Sequence, residues 1–206
     1  MSPKLFTRIN KSMSKKKLKF LIILNLTWSI LGIYADLAWL SMVPVSLIPL
    51  TAICSLYPPL LLIWYVFKYF NKPIPNWYTF WLILGTASYG LLAQFYFPLL
   101  MSWKGINFHD LGSMFWVAAY GFQALIIFPH LKIPSIFIIL PGIIYLLLAD
   151  FTHYFVPTFV DFTLSGYPEW MKITTGLTAL FTQITCAIII IFFVKKRQKT
   201  LLLRKN

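Results

Sequence analysis

An acidic and a basic side chain, Asp150 and His153, lie three positions apart near the end of a long apolar run. Residues with this spacing share one face of a helix, so both side chains could contact the same ion, proton or substrate group. The alternative interpretation is a helix end that faces water and is polar for that reason. The D-x-x-H spacing is common among proteins, so the choice between these two interpretations depends on the helices that position the two residues.

A second ionisable pair, His109 and Asp110, precedes another apolar run. Adjacent residues point about 100° apart on a helix, which is a poor arrangement for two ligands of one ion. Asp110, followed by Ser113, is more typical of a helix N-cap whose carboxylate stabilises the N-terminus. Asp36 has two interpretations: it lines a cavity, or it reaches water at an interface beside Trp39.

Three glutamines, Gln94, Gln123 and Gln183, lie within three different apolar runs. An amide in an apolar environment requires a hydrogen-bond partner. Hydrogen bonds between helices, typically worth below about 2 kcal/mol, explain these residues better than a substrate path does.

Several reaction classes have no motif in the sequence. Walker A, G-x-G-x-x-G, H-E-x-x-H, G-x-S-x-G and C-x-x-C-H patterns are absent, so no cofactor is indicated. Cys54 and Cys186 lie in apolar runs and predict neither a disulfide nor a metal site. None of the three histidines lies deep in an apolar run, and His130 is most simply solvated.

The elements that position these residues follow from composition. The chain has 206 residues, of which 59% are hydrophobic and 11% charged, with a mean hydropathy of +0.76. A typical soluble domain is about 25% charged, so the bilayer is the expected solvent. Nucleic acid is not an expected partner, despite the net charge of +13.

Six apolar runs are long enough to cross a bilayer as helices. Prolines within them, at Pro49, Pro58, Pro59, Pro98 and Pro141, predict kinks. The runs cover residues 20–40, 46–67, 77–101, 111–128, 134–155 and 172–194. The sequence therefore predicts an all-α polytopic transmembrane bundle of six kinked helices.

Orientation follows from the basic residues, because short loops rich in Lys and Arg stay in the cytoplasm. Six spans place both termini on one side, and of the 18 basic residues all but Lys104 and Lys172 fall on that side. We expect cytoplasmic termini, with a basic segment at 1–19, the membrane domain at 20–194 and a basic tail at 195–206. The expected location is a bacterial or archaeal cytoplasmic membrane.

The same topology places all five acids at or beyond the outer ends of the helices. A polar cavity that opens outward could form there, suited to a divalent metal or to general acid–base chemistry. Its candidate residues are Asp36, His109, Asp110, Asp150 and His153.

Short motifs in five of the runs follow the order of a known family. They are Gly32-Ile-Tyr34, Pro49-Leu-Thr-Ala52, Tyr89-Gly90, Ser113 and Asp150-Phe-Thr-His153-Tyr154. The chain resembles the domain-of-unknown-function 1405 integral membrane proteins of bacteria and archaea. Asp150 and Tyr154 match the family pattern in the fifth helix, whereas Ala149 and His153 depart from it. The resemblance implies a compact helical membrane protein and no activity.

Three functions are compatible with these features. The first is binding or transport of a small solute through the outward cavity, with a protein partner as a possible energy source. The second is a membrane enzyme acting on a lipid or isoprenoid, with Asp150 and His153 as acid, base or metal ligands. The third is an assembly or scaffold protein. The expected partners are the lipid bilayer, a small-molecule or lipid ligand, and a further protein.

Overall fold

The computed structural model describes residues 13–40, 53–155 and 167–202, and all regular structure within these ranges is helical. A 3₁₀ turn, Phe128–His130, follows the fourth helix. The helices are α1 (Lys15–Leu40), α2 (Ile53–Tyr69), α3 (Asn76–Lys104), α4 (Phe108–Ile127), α5 (Ile136–Phe155) and α6 (Glu169–Leu202).

Four of these helices contain segments that are long and apolar enough to cross a membrane. The segments are Lys15–Tyr34, Asn76–Lys104, Asp110–His130 and Glu169–Thr200, and a shorter apolar segment is Ile136–Thr152. Large apolar side chains such as Phe137 and Phe181 are exposed along the helices. Helices with apolar exteriors satisfy their own backbone groups and tolerate lipid, so they indicate a membrane-embedded protein.

Successive helices run in opposite directions. At one end of the bundle the start of α1 meets the end of α2, with Lys15 Nζ 5.8 Å from the centre of the Tyr69 ring. At the same end Asn76, which begins α3, accepts a hydrogen bond from the backbone amide of Lys132 at 2.9 Å. We call this the basic end.

The opposite end joins α3, α4 and the start of α6. Lys104 Nζ lies 3.2 Å from Asp110 Oδ2 and 5.9 Å from the centre of the Tyr167 ring. Trp103 packs on the same tyrosine, with ring centroids 5.2 Å apart. These contacts fix the connection between α3 and α4 against the segment that leads into α6.

Helix α3 is central, packing against α2, α4, α5 and α6. Its contact with α4 is the most extensive, because Gly90 and Gly121 bring the two backbones together. A Cβ atom built at Gly90 would lie 2.6 Å from the Gly121 Cα atom. Small residues commonly permit this approach between helices in membranes.

The six predicted runs correspond to the six helices, with differences at their ends. Helix α1 starts at Lys15 and α6 continues to Leu202, so the predicted basic segments at 1–19 and 195–206 partly extend helices. Lys and Arg are good helix formers, and a helix can continue past the apolar region. Residues 46–52, including Pro49, lie outside the described residues.

Candidate functional site

A carboxyl group lies inside the bundle where three helices meet. Asp150 of α5 is 1% exposed. Its Oδ1 accepts a hydrogen bond of 2.5 Å from the Tyr89 hydroxyl of α3, and its Oδ2 accepts one from the Gln183 side-chain amide of α6. The Gln183 amide nitrogen also lies 3.4 Å from the Tyr89 hydroxyl. We call Tyr89, Asp150 and Gln183 the carboxyl triad.

The triad lies midway along α6. Gln183 is fourteen residues from both Glu169 and Arg197, which at 1.5 Å per residue is about 21 Å in each direction. Tyr89 is likewise near the middle of α3, which has 29 residues. Asp150 itself lies five residues before Phe155, towards the end of the shorter helix α5, as the sequence predicted. Helix α5 ends at Phe155, while α3 and α6 extend further along the bundle.

Neutral donors supply both hydrogen bonds to the Asp150 carboxylate. No cationic side chain pairs with it among the described residues. The donors fit an ionised carboxylate, because a tyrosine hydroxyl and an amide N–H can both donate. The Gln183 carbonyl oxygen has no hydrogen-bond partner in the described part of the chain, although Gln183 is only 2% exposed. Reversing this amide would present the oxygen to a protonated Asp150.

Two further tyrosines surround the triad. The Tyr57 ring lies 5.7 Å from the Tyr89 ring and 6.3 Å from the Tyr120 ring. A side chain at Gly85 would collide with the Tyr57 phenol, so this glycine makes room for the ring. The three buried phenol rings form a connected aromatic layer across α2, α3 and α4, and Tyr89 links this layer to the carboxyl.

Two of the three glutamines make hydrogen bonds between helices in the structure. Gln183 bonds to Asp150 as described, and Gln123 of α4 accepts a 2.9 Å hydrogen bond from Asn25 of α1. Gln94 donates only to the Gly90 carbonyl of its own helix, at 3.4 Å, and its side chain is exposed. Its predicted role between helices is therefore not seen in the described contacts.

Asp110 has a structural arrangement of its own. The N-cap of α4 is Asn107, whose side-chain oxygen accepts from the Asp110 amide at 2.8 Å, so the predicted N-cap at Asp110 is wrong. The Asp110 carboxylate accepts from the Asn107 amide at 2.6 Å and pairs with Lys104. This reciprocal arrangement resembles a capping box and stabilises the start of α4.

The predicted outward cavity is not assembled from Asp110 and Asp150, which have separate partners in the described contacts. The side chains of Asp36, His109 and His153 lie outside the described residues. In the part of the chain that the structure describes, no group of three or more His, Cys, Asp or Glu side chains could hold a metal ion.

The sequence did not predict that Tyr89 is the partner of Asp150 or that Asn25 is the partner of Gln123. Tyr89 and Asn25 are both polar groups within apolar runs, which was the available signal. Comparison with models of known protein families, with curated proteins and with solved structures found no match to this chain. The geometry of the triad is therefore the feature from which a function can be inferred.

Proposed function

We propose that this chain is a multi-pass membrane carrier that couples movement of a small solute to protonation of Asp150. The observation behind this proposal is the burial of Asp150 among three helices, with Tyr89 and Gln183 as its partners. Ionisable residues inside membrane bundles are costly, and they commonly mark ion pathways and proton relays. A purely structural role would be served by a neutral side chain.

The depth of the triad supports a carrier. A bilayer is about 40–45 Å thick including its headgroups, and the triad lies about 21 Å from each end of the Glu169 to Arg197 segment. With α6 crossing the bilayer from Glu169 to Arg197, as we propose, the triad would lie at the membrane midplane. Substrate and coupling-ion sites of secondary transporters typically lie at that depth, where both sides of the membrane can be reached in turn.

A proton is the ligand that the triad fits best. Ionised Asp150 accepts from the Tyr89 hydroxyl and the Gln183 amide nitrogen. Protonated Asp150 would donate to the Gln183 carbonyl oxygen, which has no partner among the described residues, once that amide reverses. Each protonation state therefore has a hydrogen-bonded arrangement, so a small rearrangement of one side chain accompanies proton uptake.

The proposal includes a topology. All six helices cross the membrane, and both termini and the basic end face the cytoplasm, in accordance with the positive-inside rule. The energy would come from a proton gradient, since the sequence contains no nucleotide-binding motif. The lipid bilayer is the required partner.

The test is solute-driven proton movement in liposomes that contain the purified protein and a trapped pH-sensitive dye. Amino acids, sugars, amines and organic acids are added outside in turn. We expect at least one to drive proton entry in the unmodified protein, and none in Asp150→Asn. Glu169→Gln is the matched control, because this acid-to-amide change lies at an exposed carboxylate. Proton entry that persists in Asp150→Asn would contradict the proposal.

Infrared spectroscopy tests the proton site without a known solute. The carboxyl C=O band that disappears in Asp150→Asn should change with pH in the unmodified protein and in Glu169→Gln. If that band were independent of pH across the neutral range, Asp150 would not exchange a proton and coupling would be ruled out.

A further inference from the structure

Three basic side chains from different elements converge at the basic end. Lys68 is in the last turn of α2, His130 ends the 3₁₀ turn after α4, and Arg197 is near the end of α6. Lys68 Nζ lies 3.3 Å from His130 Nδ1. All three side chains are half-buried. We call them the basic cluster.

The protein fixes this cluster in place. The Arg197 guanidinium donates 3.0 Å to the Phe128 carbonyl and also to the Leu131 carbonyl, on either side of His130. The His130 ring packs on Trp64, with centroids 5.3 Å apart. His130 is therefore not the solvated loop residue that the sequence predicted. Two of the five guanidinium N–H groups donate to these carbonyls, so three N–H groups remain that could donate to a ligand.

No carboxylate neutralises the cluster in the described part of the chain. Of the five acids in the sequence, Asp150 is bound in the triad, while Asp110 pairs with Lys104 and Glu169 with Lys172 at the opposite end. The side chains of the other two, Asp36 and Asp161, lie outside the described residues.

The topology rule requires basic residues on one side of the membrane, but it does not require three of them to converge. Because the Lys68 ammonium can only donate, His130 Nδ1 accepts from it and the ring is neutral. Lys68 and Arg197 thus bring two positive charges to a fixed histidine with no counter-ion among the described residues, an arrangement that suits an anion.

We propose that Lys68, His130 and Arg197 bind the phosphate group of an anionic lipid headgroup. Lysine supplies a point charge and arginine a planar set of donors, which suits phosphate. The helices of this bundle have apolar exteriors, with Phe67 and Ile133 40% and 43% exposed near this end of the bundle. With the basic end at the cytoplasmic surface, as proposed, the cluster lies at the level of lipid headgroups, which favours a lipid phosphate over a free phosphate ion. The proposal does not depend on Asp150 being a proton site.

The test is lipid binding by the purified full chain in detergent, measured by native mass spectrometry with phosphatidylglycerol or phosphatidylcholine. Lys68→Gln removes a specific charge-assisted hydrogen bond to the phosphate and should weaken phosphatidylglycerol binding about tenfold or more. Lys72→Gln is the matched control, because Lys72 is exposed at the same end. We expect the control to remain within about twofold, and Lys68→Arg to restore binding.

Three results would overturn the proposal. Equal weakening by Lys68→Gln and Lys72→Gln would show a diffuse charge effect. Equal binding of phosphatidylcholine and phosphatidylglycerol would remove the preference for an anionic headgroup. Displacement of phosphatidylglycerol by millimolar inorganic phosphate would identify a soluble phosphate site instead. Retention of native-like helical signal by circular dichroism shows that each variant is folded when its binding is measured.

Discussion

The carboxyl triad makes a sharp prediction about stability, because Asp150→Leu removes both hydrogen-bond acceptors whereas Asp150→Asn keeps one. Asp150→Leu removes both acceptors and leaves the Tyr89 hydroxyl and the Gln183 amide nitrogen without their partner. Hydrogen bonds between membrane helices average about 0.6 kcal/mol, with a maximum near 1.7. Two lost bonds therefore lower the free energy of unfolding by roughly 1–3 kcal/mol.

Asp150→Asn should behave differently. The new carbonyl oxygen can still accept from the Tyr89 hydroxyl, while the new amide nitrogen faces the Gln183 amide nitrogen. Reversal of the Gln183 amide replaces this donor–donor contact by a hydrogen bond to the Gln183 oxygen, which has no partner among the described residues. We therefore expect Asp150→Asn to change the free energy of unfolding by less than about 0.5 kcal/mol.

The assay is reversible unfolding in bicelles or mixed micelles, followed by steric trapping or by SDS titration. Phe151→Leu is the control, because Phe151 is the next residue along α5 and its side chain is 52% exposed. It should change stability by less than about 0.5 kcal/mol. Equal destabilisation by Asp150→Asn and Asp150→Leu would refute the amide reversal. A neutral Asp150→Leu would refute the triad's contribution to stability.

Two other predictions concern packing and topology. Gly121→Ala should lower the free energy of unfolding by about 1–3 kcal/mol, since its Cβ would lie 2.7 Å from the Gly90 Cα atom. Gly112→Ala is the control, because a Cβ at Gly112 meets nothing within 4 Å. Equal stability of the two variants in the same unfolding assay would contradict the close helix contact. With both native cysteines replaced, Lys72→Cys and Ile106→Cys should react with a membrane-impermeant thiol reagent from opposite sides of the membrane. Both positions are exposed in connections between helices. Labelling of both from one side would exclude the proposed topology.

The sequence predicted the helices well because the length of an apolar run is a direct physical signal. It could not predict which way each polar side chain faces. Gln94 and Gln183 have the same chemistry and similar apolar neighbours, yet Gln94 is exposed and Gln183 is buried against Asp150. Their difference arises from how α3 and α6 are rotated against the other helices. The long-range pairs Tyr89–Asp150 and Asn25–Gln123 depend on the same rotation, which hydropathy does not encode.

The proposed carrier and an enzyme that acts on lipid headgroups require the carboxyl at different distances from the basic cluster. Arg197 and Gln183 lie on one continuous helix, fourteen residues apart, so a phosphate bound at Arg197 lies about 21 Å from the triad along the helix axis. That distance is about half the thickness of a bilayer with its headgroups. A lipid headgroup held by the basic cluster therefore cannot also contact Asp150. A reaction at headgroups would require its acid or base near the cluster, whereas the Asp150 carboxyl lies midway along α6, the position that the proposed carrier requires.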